Sequence, residues 1–304
     1  MDINQPYKDH GPSLYSAAAQ GHDSIVHFLL ESGADIEGEG PKHCGTALRI
    51  AAYKGHTTTV QLLLKYGADV NACNAKRGTA VAGAAGQDDI PMILLLLERG
   101  ANLNLAGEYG SPLSYAAAWA GENTVKLLLE HGAHVEVDSI KALKAAIDSY
   151  RIQEDNVRTI LHHAVGFDHA LAPAIVKAAE KGQNGLVDLL LKHGADINSV
   201  IECRQLQDFD IYQVLPHTKQ MITPLSEAVQ RGERSTVKLL LNRGAKPNVN
   251  GGQAFQSCIV KPDYDQRMME LLLRYGADVN TVGGEHGSAL NAACSKREIS
   301  CRRN

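Results

Sequence analysis

Apolar positions along this chain fall into two short patterns that alternate. In residues 45–71, GTALRIAAYKGHTTTVQLLLKYGADVN, Leu48, Ala51 and Ala52 recur at helical spacing, leaving Arg49, Tyr53 and Lys54 on the other faces. Thr46 stands at a helix N-cap, where its hydroxyl accepts a free first-turn N–H. Gly55 breaks this short helix. A second helix runs through Val60, Leu62, Leu63 and Leu64, and Gly67 fits the left-handed position that closes it. Asp69-Val70-Asn71 then leads into a polar turn. The predicted unit is helix, tight turn, helix, extended loop. Neither helix reaches the roughly 12–15 residues that an isolated helix needs in water, so stability must come from stacking. Burying one leucine is worth roughly 1.5–3 kcal/mol, and adjacent units share a cluster such as Leu62-Leu63-Leu64.

The unit recurs along the chain. Its closing glycine returns at Gly33, Gly67, Gly100, Gly132, Gly194, Gly244 and Gly276, in steps of 34, 33, 32, 62, 50 and 32 residues. The step of 62 reads as two units with one glycine lost, and the step of 50 as one unit carrying an insertion. The repeats fall near 10–38, 43–73, 76–106 and 108–138, with a degenerate fifth at 140–168. Further repeats follow at 170–200, 222–250 and 251–282, with an insertion at 201–221 and a half-repeat at 286–304. In the fifth, Ala142, Leu143, Ala145 and Ala146 fit a first helix, but a polar stretch at 149–156 replaces the tight turn. A distorted repeat with longer helices is expected there. A fixed period of this size means a stack of small helical units.

The chemistry-bearing signals are weak by comparison. Net charge is −4 over 304 residues, which argues against a nucleic-acid footprint across the whole surface. No run approaches the roughly 20 apolar residues that span a bilayer, and residues 1–6 lack the regions of a signal peptide. The six cysteines include no Cys-x-x-Cys pair and read as reduced thiols inside a cell. Neither a phosphate loop, a dinucleotide fingerprint nor a G-x-S-x-G elbow is present. Acidic residues are scattered over turns, so an enzyme has no positive support. His162, His163 and His169 with Asp168 make the densest histidine cluster, but their spacing does not match zinc-binding arrangements. Neither metal nor cofactor is expected. The basic tail at Lys296, Arg297, Arg302 and Arg303 reads as a solvated chain end.

First-helix openings such as TPLSEAVQRG (223–232), SPLSYAAAWAG (111–121) and GSALNAAC (287–294) carry a family resemblance. So do second-helix strings such as LLLKHGAD and LLLRYGAD. They resemble the ankyrin repeat, whose period is about 33 and whose first helix opens T-P-L-H-x-A. The Leu-rich strings with GADVN are most similar to ankyrin arrays of filamentous fungi, and the likeness covers about residues 10–298. It implies an all-α solenoid of helix-turn-helix units joined by hairpin-like loops. It also implies a non-catalytic scaffold or adaptor that binds another protein through a concave groove and loop tips. The groove offsets of the first helices hold Ile50, Tyr53, Lys54, Gln87, Tyr115 and Trp119 early in the array, and Lys177, Lys181 and Arg231 later. Gly83 and Gly86 are expected to leave a shallow depression beside Trp119. A monomer in the cytoplasm or nucleus, with neither nucleic acid nor membrane as direct partner, completes the expectation. Two rival roles are a transcriptional co-regulator and the repeat segment of a larger receptor or enzyme.

Overall fold

The computed structural model describes residues 3–5, 11–149, 154–163, 168–202, 221–260, 265–284 and 287–294. It divides into two compact bodies, Met1–Val165 and Gly166–Asn304. The N-terminal body consists of five helix pairs: α1 (Ser13–Gln20) with α2 (Asp23–Glu31), α3 (Ala47–Tyr53) with α4 (Thr57–Lys65), α5 (Ala80–Gly86) with α6 (Ile90–Glu98), α7 (Pro112–Trp119) with α8 (Glu122–Glu130), and α9 (Val135–Asp148) with α10 (Glu154–His163). First helices α1, α3, α5, α7 and α9 pack in series. The C-terminal body holds α11 (Asp168–Glu180), α12 (Asn184–Lys192), α13 (Pro224–Arg231), α14 (Arg234–Asn242), α15 (Val249–Val260) and α16 (Gln266–Arg274). Here α11, α13 and α15 pack in series. The fold is all-α, apart from one short strand pair and isolated bridges among the described residues.

Local chemistry accounts for these elements. Thr46, Thr79, Ser111 and Thr223 each accept a backbone N–H three residues on and so open α3, α5, α7 and α13. Gly67 closes α4 with φ 92°, a conformation that L side chains rarely adopt. In the strings of α4 and α8 only the middle leucine is fully covered. Val60 and Leu63, Ile93 and Leu96, and Val125 and Leu128 are buried at i, i+3 spacing, while Leu62 and Leu64 are half-buried. The apolar stripe is thus narrower than a shared Leu62-Leu63-Leu64 cluster.

The recurrent asparagine after the closing glycine clips one repeat to the next. Asn71 Oδ1 accepts from Asn102 N at 2.7 Å while its Nδ2 donates to Gly100 O at 3.1 Å. Asn104 does the same to His134 N and Gly132 O, and Asn248 to Asp278 N and Gly276 O. Glu37 fills the role toward Asp69 N.

The insertion has a defined base. β1 (Ile201–Glu202) and β2 (Met221–Ile222) pair antiparallel, Ile201 opposite Ile222, and both isoleucines pack on Val176 of α11. Residues 203–220, inside the insertion, lie outside the described residues. Joining Glu202 to Met221 through Asn-Gly, a strong hairpin turn, should keep or raise the melting temperature. Closing a long loop costs about 0.6 kcal/mol per doubling of length, a cost the short turn avoids. A cooperative melt lost on shortening would place core residues in the segment.

The fifth repeat departs from the others. Its first helix, α9, has 14 residues where α3 has 7 and α7 has 8. Ala142, Leu143 and Ala146 are buried as expected, and Ala145 is half-buried. Asn156, expected in a polar turn, instead lies on α10 and is fully buried. Residues 150–153 and 164–167 lie outside the described residues, as do 295–304 with the basic tail. Residues 289–294 form the helical start of the half-repeat.

Candidate partner-binding face

In the N-terminal body, side chains of the first helices reach the loops between repeats. Arg49 on α3 joins the two. Its Nε donates to Arg77 O at 3.3 Å and its Nη1 to Cys44 O at 3.2 Å, both carbonyls being on loops. The Tyr115 hydroxyl on α7 donates to the same Arg77 oxygen at 3.2 Å. Arg49 is only 4% exposed, which corrects the expectation that it lies on an outer face. The loop carbonyls draw its guanidinium inward, because a buried charge must be hydrogen-bonded.

Electrostatics here are one-sided. Burial raises the phenol of Tyr15 to about 12 and also raises that of Tyr115, so neither is an anion at neutral pH. Burial lowers the Arg49 pKa, and the nearby Arg77 charge adds to that. Among the described residues no carboxylate forms an ion pair with Arg49, Lys54 or Arg77. Instead these cations face rings. Arg49 and Lys54 stand 5.8 Å and 5.7 Å from the centre of Tyr53, and Arg77 stands 5.5 Å from that of Tyr109.

Trp119, the last residue of α7, is 66% exposed. Lys54 and Gln87, which hold the equivalent position in their repeats, are exposed as well. Tyr53 is 37% exposed and Tyr115 is half-buried. Ile50 is not available. α3 lies between α1 and α5, and its residues 47–52 are all buried, Ile50 included. The expected depression is not empty either. A Cβ on Gly83 would lie 3.3 Å from Tyr53 Cβ, and one on Gly86 would lie 3.2 Å from Tyr115 Cδ1. The glycines therefore seat the two tyrosines against α5.

Trp119 owes its pose to a departure from the repeat. Where other first helices end on a left-handed glycine such as Gly21 or Gly232, this one has Ala120, whose Cβ disfavours positive φ. Ala120 is extended, and its N–H satisfies Ala116 O alone. The side-chain amide of Asn156 donates to Ala120 O at 2.9 Å and to Ala117 O at 3.2 Å. Sequence reading missed this residue. Its signal was an alanine in the glycine position, paired in space with an asparagine that precedes Val157 on α10.

In the C-terminal body the equivalent positions are largely self-satisfied. Lys177 is 3% exposed, a correction to its expected place on the open face, and its Nζ pairs with Glu180 Oε2 at 2.9 Å. Arg231 is exposed and pairs with the other Glu180 oxygen. Lys181 is exposed. Beneath them lies Glu227, 7% exposed on α13. Burial raises its carboxyl to about 7, helped by Glu180 and opposed by Arg231 and Lys177. The value lies above the ordinary 4.5, so the folded state favours the protonated form. That contribution is complete below about pH 4.5 and is lost as pH rises through about 7. Glu227→Gln should therefore match the wild type near pH 4 and exceed it by up to about 3 kcal/mol near pH 8. Denaturant titrations at the two pH values check this, and a variant weaker than the wild type at pH 8 would mean the carboxylate itself is needed.

No helix among the described residues is long and apolar enough to cross a membrane. No group of three His, Cys, Asp or Glu among them is placed to hold a metal ion. His163, from the histidine cluster, has its Nδ1 2.9 Å from Thr159 O, and the side chains of Asp168 and His169 lie outside the description.

A family model described as ankyrin repeats matches the chain in three copies, over residues 14–107, 48–139 and 175–283. Similar proteins include one from Bos taurus named dynein axonemal heavy chain 12, 31% identical over 61% of this chain and 51% of its own length. An ankyrin repeat and KH domain-containing protein of Caenorhabditis briggsae is 28% identical over 69% of this chain and 7% of its own. Mouse ankyrin repeat and SOCS box protein 14 is 33% identical over 31% of this chain and 14% of its own. The chain thus spans about half the length of the cattle relative and a small part of the other two.

Proposed function

The chain belongs to the ankyrin-repeat family, and from that premise we propose that it is a non-catalytic scaffold whose N-terminal body holds a partner protein. The family's repeats make protein–protein interaction domains. The observation that carries the reading is the exposure of Trp119, with Tyr53, Lys54 and Gln87 exposed at the first-helix ends of the two preceding repeats. Trp, Tyr and Arg dominate binding energy at interfaces. In this reading the protein acts as a monomer, in the cytoplasm or nucleus, and contacts neither nucleic acid nor membrane directly. The fungal likeness of its leucine strings belongs to the same reading. A second reading makes the array the docking segment of a longer polypeptide. It is favoured by relatives in which the matched stretch fills only 7% or 14% of the protein.

Photo-crosslinking tests the face. A benzophenone amino acid at position 87 should trap a partner in cells. The same group at position 61, exposed on the second helix α4, should not. Equal products from both positions, or none from 87, would overturn the assignment.

A further inference from the structure

We propose that the partner segment held by the N-terminal body is an acidic peptide, its carboxylates meeting Arg77 and Lys54 while an apolar side chain lies on Trp119. This rests on the face assigned above and names the chemistry of its occupant.

The charge arrangement carries the inference. Arg49 is a buried cation whose hydrogen bonds go to main-chain carbonyls, and a carbonyl brings no countercharge. Arg77 lends its carbonyl to both Arg49 and Tyr115 and leaves its own side chain exposed over Tyr109. Lys54 is likewise exposed over Tyr53. The acids close to these loops are engaged or turned elsewhere. Glu39 accepts from Asn74 Nδ2 at 2.8 Å and lies 3.2 Å from His43. Asp88 accepts from Gly121 N and Thr124 at the start of α8. Only Glu108, at a loop tip, adds an exposed negative charge without a side-chain partner. In the C-terminal body, by contrast, Glu180 neutralises both Lys177 and Arg231. Arg77 and Lys54 therefore carry exposed positive charge on the N-terminal body with no carboxylate partner among the described residues.

Buried or ring-shielded cations gain most from an anion that arrives with them into low dielectric. Such pairs give specificity and speed association. A polyanion such as single-stranded nucleic acid would also meet a charge of −4 on the chain as a whole. A short peptide feels mainly the local field, because charges beyond about 8 Å are screened at physiological salt. That favours a carboxylate-bearing segment over a phosphate backbone.

The test pans a displayed random library of peptides about 12 residues long against the full chain. The leading peptide is then synthesised with a fluorescein label, beside a version with every Asp and Glu made amide. A labelled oligouridylate of about 20 nucleotides serves as the nucleic-acid arm. Selected peptides should be rich in Asp and Glu around one apolar residue. The amide version, and the wild-type peptide on Lys54→Glu/Arg77→Glu, should each bind at least about tenfold more weakly, and rising NaCl should weaken the wild-type pair. Both substituted side chains are exposed, and thermal melts of the double variant check that it is folded. Neutral or basic peptides that depend on Trp119 but ignore the double variant would overturn the acidic partner and leave the face standing. Binders indifferent to Trp119→Ala, or no binders, would overturn the face and this inference with it. Oligouridylate binding more tightly than any peptide, and lost in the double variant, would assign the cations to nucleic acid instead.

Discussion

Replacing Asn156 with leucine should lower the stability of the N-terminal body by about 3 kcal/mol, a large loss for a residue outside every repeat signature. The reasoning starts at Ala120. A first helix that ends on glycine turns its last backbone N–H groups back onto the final carbonyls, as Gly21 N and His22 N do toward Ala18 O and Ala17 O. Ala120 takes an extended conformation instead, which leaves Ala117 O and Ala120 O to the Asn156 amide at 3.2 and 2.9 Å. Both alanines are buried, so water cannot replace the lost donor. A buried acceptor without a partner costs roughly 1–3 kcal/mol, and there are two. Leucine fills much the same volume, which keeps the comparison free of a large cavity. Denaturant unfolding of the variant measures the loss. Ala120→Gly in the same background should recover part of it, because glycine can restore the left-handed turn. A variant as stable as the wild type would mean that these carbonyls have another donor.

Most of the fold was legible because the repeat writes its own grammar. Thr46, Gly55, Gly67 and the Val60–Leu63 spacing each state a local rule, and the rules agree with one another across copies. The strand pair at the base of the insertion was not legible. Two residues a side carry no period, and Ile201 and Ile222 are joined only by their packing on Val176. The candidate site was half legible. Exposure of Lys54, Gln87 and Trp119 follows from their place at the last turn of a first helix. Burial of Ile50 and Lys177 does not, because it depends on the neighbouring helices that cover them. Arg49 was hidden for a different reason. Helical spacing puts it on an outer face, but two loop carbonyls from different repeats turn that face into a polar interior. Asn156 was the hardest, since its meaning lies in a defect 36 residues upstream.

Trp119→Ala should leave the fold almost untouched while weakening partner binding by roughly 2 kcal/mol or more, about a thirtyfold loss in affinity. An indole 66% exposed makes few contacts that its removal could cost, and surface substitutions usually move stability by no more than about 0.5 kcal/mol. A buried tryptophan would behave in the opposite way, losing roughly 3–5 kcal/mol of stability to the cavity. The two outcomes are separable because Trp119 is the chain's only tryptophan. Iodide should quench its fluorescence freely in the isolated protein, and the emission should shift to the blue and resist quenching when the selected peptide is bound. The rigidity of the mount makes the indole effective as an anchor. It sits on the final turn of α7, whose next residue is held by Asn156, so little conformational entropy remains to be lost on docking. This links the two substitutions: a folded Asn156 variant, such as Asn156→Gln in mild conditions, should also weaken binding although residue 156 never touches the partner. Full affinity in that variant would separate the indole's pose from the amide beneath it. An unquenchable indole with a strongly destabilised Trp119→Ala would remove Trp119 from the binding face altogether.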